Sequence, residues 1–231
     1  MRNFPIPSRK PTKGSNMAST YEMNIQSIIK VHPEKPEQAI ISRAAQTLNN
    51  GGLVVAPTET RYGLLAKIDN RVAVEKLFEI KGRSIDKPSA IFVEDISRLK
   101  QFADVSAIAQ ILAESFLPGP LTLVLKSNSY FGPYFTKNQM TGFRISSSPV
   151  IAAIVAITGP ISATSANLSG QIEPNDISGI YDQLGGRVEL YLDAGTLNNP
   201  SSTVVQVIND DIKILREGAI NSQAIMKAIG L

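Results

Sequence analysis

Short apolar runs alternate with amphipathic segments through most of the chain. Residues 53–56 form a continuous apolar run between two glycines and Pro57, which predicts a short strand buried on both faces. Proline has no N–H for a ladder, so we expect this strand to stop at Pro57 and a polar turn to follow over 58–63. Further strands are predicted in the apolar segments 89–93, 121–125, 142–146, 160–167, 188–192, 202–208 and 212–215.

Segments with helical spacing separate these strands. A first helix is predicted over 36–49, and a second over 71–80 ends where Gly82 suits a left-handed stop. The second helix is expected to bury one side consisting of Val72, Leu77, Phe78 and Ile80. Other helices are predicted over 105–117, 149–157, 175–184 and from 221 onward. Residues 127–141 show no period and are predicted to form a loop, either a lid or a surface excursion. This alternation predicts an α/β fold.

Length and charge divide the chain into two parts. With 231 residues and 43% hydrophobic content, the chain is long enough for one domain, which we expect over 23–231. The net charge is +3, yet the first twenty residues carry four cations and no acid, so the remainder is slightly acidic. Residues 1–22 are predicted to be a disordered basic arm; an organellar targeting peptide is the less favoured interpretation because prolines interrupt it. No apolar run is long enough to span a membrane, and we expect a cytoplasmic protein.

The composition also excludes several kinds of chemistry. There is no cysteine, so thiolate nucleophiles are excluded, and a single histidine, His32, excludes a multi-histidine zinc site. His32 lies near the start of the chain, well outside the polar turns that end the later strands, which argues against a Ser-His-Asp triad. Neither the P-loop pattern nor Gly-x-Gly-x-x-Gly occurs, which disfavours the common nucleotide-binding loops. Any reaction therefore depends on lysine, arginine, hydroxyl, carboxylate and backbone groups, with or without a hard metal ion.

Cationic and hydroxyl side chains cluster where the predicted elements end. Lys81 and Arg83 flank Gly82 after a predicted helix, and Ser165 and Asn167 end a predicted strand. Similar polar groups lie at the ends of other strands, at Thr58, Thr60, Ser201, Ser202 and Thr203. An arginine fork and a mobile lysine charge suit a phosphate or a carboxylate. The competing interpretation is that both cations are solvated and only complement the helix C-terminus.

Seven motifs, in order and spacing, resemble the YrdC-like family. They are PTETRYGL at 57–64, KGR at 81–83, PGPLT at 118–122, GFR at 142–144, TSANLSG at 164–170, STVV at 202–205 and LREG at 215–218. The resemblance covers about residues 25–220. It implies a twisted, open mixed sheet with flanking helices and a concave basic groove, in the short, single-domain form. It also implies a nucleotidyltransferase, threonylcarbamoyl-AMP synthase, which makes threonylcarbamoyl-AMP and pyrophosphate from L-threonine, bicarbonate and ATP.

The resemblance also assigns roles to individual residues. Lys81 and Arg83 are expected to be catalytic and to bind the phosphates of ATP. The residues expected at L-threonine are Thr58, Tyr62, Arg144 and Ser202. The other residues expected at the nucleotide are Thr122, Ser165, Asn167 and Arg216. Mg²⁺ is expected on the ATP phosphates, with no protein ligand assigned. The product serves threonylcarbamoyladenosine modification of tRNA, so tRNA, double-stranded RNA binding and proteins of tRNA-modification complexes are implied as partners.

Four departures from the family pattern concern substrate choice more than fold. Arg61 stands where the family usually has a small apolar residue, Ser84 where it has a proline, and Phe92 where many longer members have a histidine. Residues 145–149 match the family segment after Arg144 only loosely. The alternative function is a YciO-type nucleotide- or RNA-binding paralogue without synthase activity. A carbamoyl-adenylate enzyme of hydrogenase maturation is a third hypothesis, although those proteins carry this module among additional domains. Retention of KGR and TSAN favours the synthase.

Overall fold

The computed structural model describes residues 27–231, in which eleven strands form one mixed sheet with seven helices against it. The basic arm expected over 1–22 lies outside the described residues. The helices are α1 Gln38–Asn49, α2 Arg71–Lys81, α3 Ile96–Phe102, α4 Ala107–Phe116, α5 Pro149–Thr158, α6 Ile177–Leu184 and α7 Ser222–Ala228. The strands are β1 Ile28–Lys30, β2 Val54–Pro57, β3 Tyr62–Leu65, β4 Ala90–Phe92, β5 Leu121–Lys126, β6 Thr136–Lys137, β7 Met140–Arg144, β8 Ile161–Ser165, β9 Leu190–Asp193, β10 Thr203–Ile208 and β11 Asp211–Arg216.

The strands lie in the order β1-β9-β2-β3-β8-β4-β7-β5-β10-β11, with β6 paired to β7. Parallel pairs such as β2 with β9 and β5 with β10 occur beside antiparallel pairs such as β3 with β8 and β5 with β7. The predicted α/β class and mixed sheet are therefore confirmed. Every strand predicted from an apolar segment is present, with ends shifted by a few residues.

Pro57 is the last residue of β2, as predicted, but the polar turn is shorter than the expected 58–63, because residues 62 and 63 already belong to β3. The chain turns over 58–61 and returns as β3, with Pro57 opposite Tyr62. The hydroxyl of Thr58 accepts hydrogen bonds from the backbone N–H groups of Thr60 and Arg61, at 3.0 and 3.1 Å, and so fixes the turn. Because Pro57 is the last residue of its strand, its missing N–H removes a hydrogen bond only at the end of the ladder.

Other differences involve short or weakly apolar elements. The sequence pattern did not predict α3, whose only buried residue is Leu99 and whose N-terminus is capped by Asp95. It also missed β6, a two-residue strand inside the expected loop over 127–141. In α2, Val72 is 74% exposed, contrary to the expected buried side. The buried positions one turn before Leu77 are Ala73 and Val74, because helical neighbours lie three or four residues apart.

Apolar side chains cover the sheet on both faces. On one face α1 and α5 pack with the smaller core cluster, which includes Val54 and Ala56 of β2. On the other face α2, α4, α6 and α7 pack with the larger cluster, which includes Val55. Successive residues of β2 thus enter different clusters, as alternation in a strand requires, and the predicted two-sided burial is confirmed. Among residues 27–231, no helix combines the length and apolar character needed to cross a membrane.

Candidate functional site

A cavity of about 710 Å³ opens beside the β2–β3 turn and over β8, β4, β7, β5, β10 and β11. This volume is typical of small-molecule sites. Its charged lining residues are six cations, Arg61, Arg83, Lys87, Lys137, Arg144 and Arg216, and one carboxylate, Glu173. Such a lining attracts anions because the cations lie on one shared surface.

Arg144, at the end of β7, is held rigidly in the wall. Its Nη2 donates to the Thr60 hydroxyl at 2.9 Å and lies 2.9 Å from the Glu59 carboxylate. Its Cζ lies 5.5 Å from the centre of the Phe92 ring. Thr58 Oγ1 is 2.9 Å from Thr60 Oγ1, so the β2–β3 turn supports the same guanidinium. Arg144 Nε is buried without a hydrogen-bond partner among residues 27–231, and the residue lines the cavity.

Arg216, at the end of β11, is fixed against the start of β10. Its Nε and Nη2 donate to the Ser202 carbonyl oxygen at 3.0 and 2.8 Å, and Nη2 also donates to the Ser202 hydroxyl at 2.9 Å. The Ser202 hydroxyl lies 3.2 Å from that of Thr122. At Gly218, a Cβ would lie 2.1 Å from the Ser201 carbonyl oxygen, so this close approach requires glycine.

Arg83 follows the left-handed Gly82, whose φ of 58° ends α2 as predicted. Its Nε and Nη2 donate to the carbonyl oxygens of Lys87 and Pro88 at 2.6 and 2.9 Å. Its Nη1 lies 3.5 Å from the Thr164 hydroxyl of β8. The guanidinium is therefore directed into the cavity by the 84–88 turn.

The arginines at the cavity disfavour one another's charge. Burial lowers the pKa of Arg83, and the charge of Arg216 lowers it further. Burial also lowers the pKa of Arg216; Glu173 opposes this shift and Arg144 adds to it. Three guanidinium groups from separate segments thus share one site, and a bound anion would relieve their repulsion.

Lys81 and Asn167 lie behind this wall and do not line the cavity. Lys81 is 2% exposed, and its Nζ donates to the carbonyl oxygens of Ser165 and Asn167 and to Asn167 Oδ1. The Ser165 hydroxyl, which does reach the cavity, donates to Asn167 Oδ1 at 2.6 Å. Burial and the nearby Arg83 lower the pKa of Lys81 to about 7, while Glu173 opposes them. The ammonium thus ties the end of α2 to the end of β8.

Eight of the ten predicted site residues line the cavity. They are Thr58, Tyr62, Arg83, Thr122, Arg144, Ser165, Ser202 and Arg216. The Tyr62 hydroxyl donates to the Gly195 carbonyl at 2.6 Å and accepts from the Ala194 N–H at 2.9 Å. Its proton is therefore already committed to a hydrogen bond within the protein. Burial raises the pKa of Tyr62 to about 12.

The prediction from sequence omitted several residues that shape the site. Glu59 and Thr60 hold Arg144, and Lys87, Lys137 and Glu173 add charge to the lining. The density of polar residues in the β2–β3 turn was a signal for the first two. Glu173 lies in a loop with no such signal. Within residues 27–231, no group of three or more histidine, aspartate or glutamate residues could hold a metal ion.

Fold and cavity together define a mixed α/β protein with a largely cationic cavity of small-molecule size. The family model described as telomere recombination, for Sua5, YciO and YrdC, matches residues 46–218. The chain therefore belongs to the Sua5/YciO/YrdC family, which confirms the resemblance.

Individual relatives support this assignment over most of the described chain. Threonylcarbamoyl-AMP synthase of Bacillus subtilis is 35% identical over 195 residues, which cover 82% of this chain and 56% of that protein. The structure of Pyrococcus abyssi Sua5 complexed with L-threonine aligns with a TM-score of 0.81 and 32% identity, covering 88% of this chain and 61% of that one. Escherichia coli YciO aligns with a TM-score of 0.79 and 27% identity, covering 86% and 98%. This chain thus spans less than two thirds of the length of the Bacillus and Pyrococcus relatives.

Proposed function

We propose that this chain is an L-threonylcarbamoyladenylate synthase, a nucleotidyltransferase that forms threonylcarbamoyl-AMP and pyrophosphate from L-threonine, bicarbonate and ATP. The observation that carries this proposal is the convergence of Arg83, Arg144 and Arg216 on one cavity, where each charge disfavours another. ATP and an amino-acid carboxylate are anions that would relieve this repulsion. The relatives named as synthases and the Sua5 complex with L-threonine support the choice of substrates.

Different members of the cationic lining suit the two kinds of anion. Arg83 and Arg216, beside the hydroxyls of Thr122 and Ser165, bind the phosphates of ATP. Arg144 binds the threonine carboxylate, because it lines the cavity and its guanidinium is already oriented by Thr60 and Glu59. Thr58, Tyr62 and Ser202 complete the wall around the amino acid.

The reaction requires positioning and charge neutralisation rather than a covalent intermediate on the protein. The amine nitrogen of threonine first forms a bond to the bicarbonate carbon, and water leaves, which gives the threonine carbamate. An oxygen of this carbamate then forms a bond to the α-phosphorus, and the bond from that phosphorus to the oxygen bridging to the β-phosphate breaks, which releases pyrophosphate. Arg83 and Arg216 hold the phosphates in line for this displacement and stabilise the charge on the leaving group. Mg²⁺ would supply further neutralisation while bound to the ATP phosphates. A lining with only one carboxylate, Glu173, fits that arrangement, since magnesium uses few protein ligands when phosphates are present.

The same proposal extends to the use of the product. Threonylcarbamoyl-AMP serves the modification of tRNA, so we place the protein in the cytoplasm with tRNA and proteins of a tRNA-modification complex as its partners. The basic composition of residues 1–22 supports a contact with RNA.

The test is pyrophosphate release by the purified protein with ATP, with threonine or bicarbonate omitted in turn. We expect release only when both are present. Arg83→Met should lose most activity, whereas Arg71→Met, an exposed arginine on α2, should match the wild type. Release that is unaffected by both omissions would overturn the proposal.

The alignment with Escherichia coli YciO supports a second candidate, nucleotide binding without synthesis. ATP binding together with no pyrophosphate release under any combination of substrates would favour this second candidate.

A further inference from the structure

Among the described residues 27–231, Glu173 is the only one with a carboxylate side chain that lines the cavity. It lies in the loop between β8 and α6, and this loop is braced against residues 194–201. The Leu197 N–H donates to the Asn175 carbonyl at 2.8 Å, and Asn175 Nδ2 donates to Asn198 Oδ1 at 2.7 Å. Ser201 Oγ lies 3.5 Å from Glu173 Oε2. The carboxylate is thus held at a defined place in the wall.

The surroundings of Glu173 keep its charge available. Burial raises the pKa of Glu173, and the charges of Arg61, Lys81 and Arg216 oppose that rise, Arg61 most strongly. Lys81 is occupied by carbonyl oxygens, and Arg216 is occupied by Ser202. Glu173 therefore faces cations that favour its ionised form while their own hydrogen bonds go elsewhere.

An amino acid brings a positive group into this cationic cavity. Its carboxylate matches the arginines, but its α-ammonium is repelled by six lining cations. Glu59 is already committed to Arg144 and to the Ser146 hydroxyl. We propose that Glu173 binds the α-ammonium group of the amino-acid substrate, while Arg144 binds its carboxylate. The inference deepens the proposed function and rests on it.

Arg61 then acts as a positioning residue for Glu173. Its Nη1 donates to the Leu197 carbonyl at 3.2 Å, in the segment that braces the Glu173 loop. Its charge is the strongest of those that favour ionised Glu173. Arg61 thus helps the Glu173 carboxylate to stay ionised as the pH is lowered.

The test compares L-threonine with 2,3-dihydroxybutanoate, in which a hydroxyl replaces the ammonium, by calorimetric binding to the full chain. We expect the wild type to prefer threonine by about tenfold or more, because charge-assisted hydrogen bonds are the strong ones. Glu173→Gln should abolish this preference and leave ATP binding unchanged or tighter, since a negative charge leaves a cationic site. Glu75→Gln, on the exposed side of α2, is the matched control and should keep the preference.

A second variant tests the role of Arg61 through pH. Threonine binding requires ionised Glu173, so it weakens as pH falls through the pKa of this group. Arg61→Met removes the largest opposing charge and raises that pKa, so the loss should begin at a higher pH than in the wild type. Lys81 and Arg216, which also face Glu173, are unchanged in this variant, so the shift reports Arg61 alone.

The outcomes separate this inference from the proposed function. If Glu173→Gln keeps the preference for threonine while the wild type releases pyrophosphate normally, the ammonium site is wrong and the synthase stands. If the wild type prefers threonine and Glu173→Gln does not, yet no pyrophosphate is released, the site stands and the synthase fails. A wild type that neither binds nor uses threonine overturns both.

Discussion

Replacing Lys81 with methionine removes a buried ammonium but keeps most of the side-chain volume. The Ser165 and Asn167 carbonyl oxygens lose their contact with Nζ. Each unsatisfied buried acceptor costs about 1–3 kcal/mol, or roughly 2–6 kcal/mol for two. Removing a charge that burial disfavours returns part of this cost, because the pKa of Lys81 is lowered from 10.5 to about 7. We expect a net loss of about 2–3 kcal/mol in the free energy of unfolding, which lowers Tm by about 4–12 °C for a domain of this size.

The pH dependence of stability provides an independent signature. The folded-state pKa of Lys81 lies below that of the unfolded chain, so between about pH 7 and 10.5 the unfolded chain binds the extra proton. Stability contributed by this group therefore rises with pH across that window and falls as pH drops towards 7. Lys81→Met should lack this rise.

Thermal unfolding at several pH values, together with ATP binding by calorimetry, tests this reasoning. Lys100→Met, an exposed lysine on α3, is the control and should change neither Tm nor its pH dependence. If Lys81→Met unfolds within about 2 °C of the wild type but loses ATP binding, the ammonium contacts phosphate as the family resemblance implies. That result would falsify its role as a tie between α2 and β8.

Three further substitutions follow from hydrogen bonds in the sheet, in the cavity wall and at the start of α2. Thr203→Val should lower the free energy of unfolding by about 2–4 kcal/mol. The reason is that the buried hydroxyl donates to the Ile220 carbonyl and accepts from the N–H groups of Gly218 and Ile220. Chemical denaturation measures this loss, and an unchanged free energy of unfolding would contradict it. Arg144→Lys keeps the charge but loses the guanidinium contacts with Thr60 and Glu59. The KM for threonine should therefore rise about tenfold, and the KM for ATP should rise less. Equal changes in the two KM values would refute separate subsites. Asn70→Ala removes the cap that accepts from the Ala73 N–H and should cost about 1 kcal/mol, seen as a small drop in Tm, with Asn70→Asp expected to keep the cap.

Much of the fold was predictable because it depends on local pattern. The apolar runs and helical periods identified every long element, and the end of α2 was predicted from the single residue Gly82. The hairpin at Pro57 was missed because strand pairing depends on a partner as well as on the local donor. The phase of α2 was misjudged at Val72 because a five-residue spacing was treated as one helical side.

The candidate site was predictable in its members more than in its contacts. The motifs identified residues that converge in space, yet the direction of Lys81 depends on the backbone of Ser165, 84 residues away. No local pattern determines whether a long cation reaches a cavity or a distant carbonyl. The same holds for Glu173, whose environment is set by Arg61, Lys81 and Arg216 from three other segments.

The order of strands in the sheet determines when the ligand site can form during synthesis of the chain. From one wall of the cavity to the other, the strands run β3, β8, β4, β7, β5, β10 and β11, so chain order and spatial order are interleaved. In a nascent chain that has emerged through β7, the strand β8 is still missing between β3 and β4. Arg216 is added only with the last strand, β11. The ligand site therefore cannot form before β11 has been synthesised, and substrate binding reports that the strands around the cavity have closed their long-range contacts.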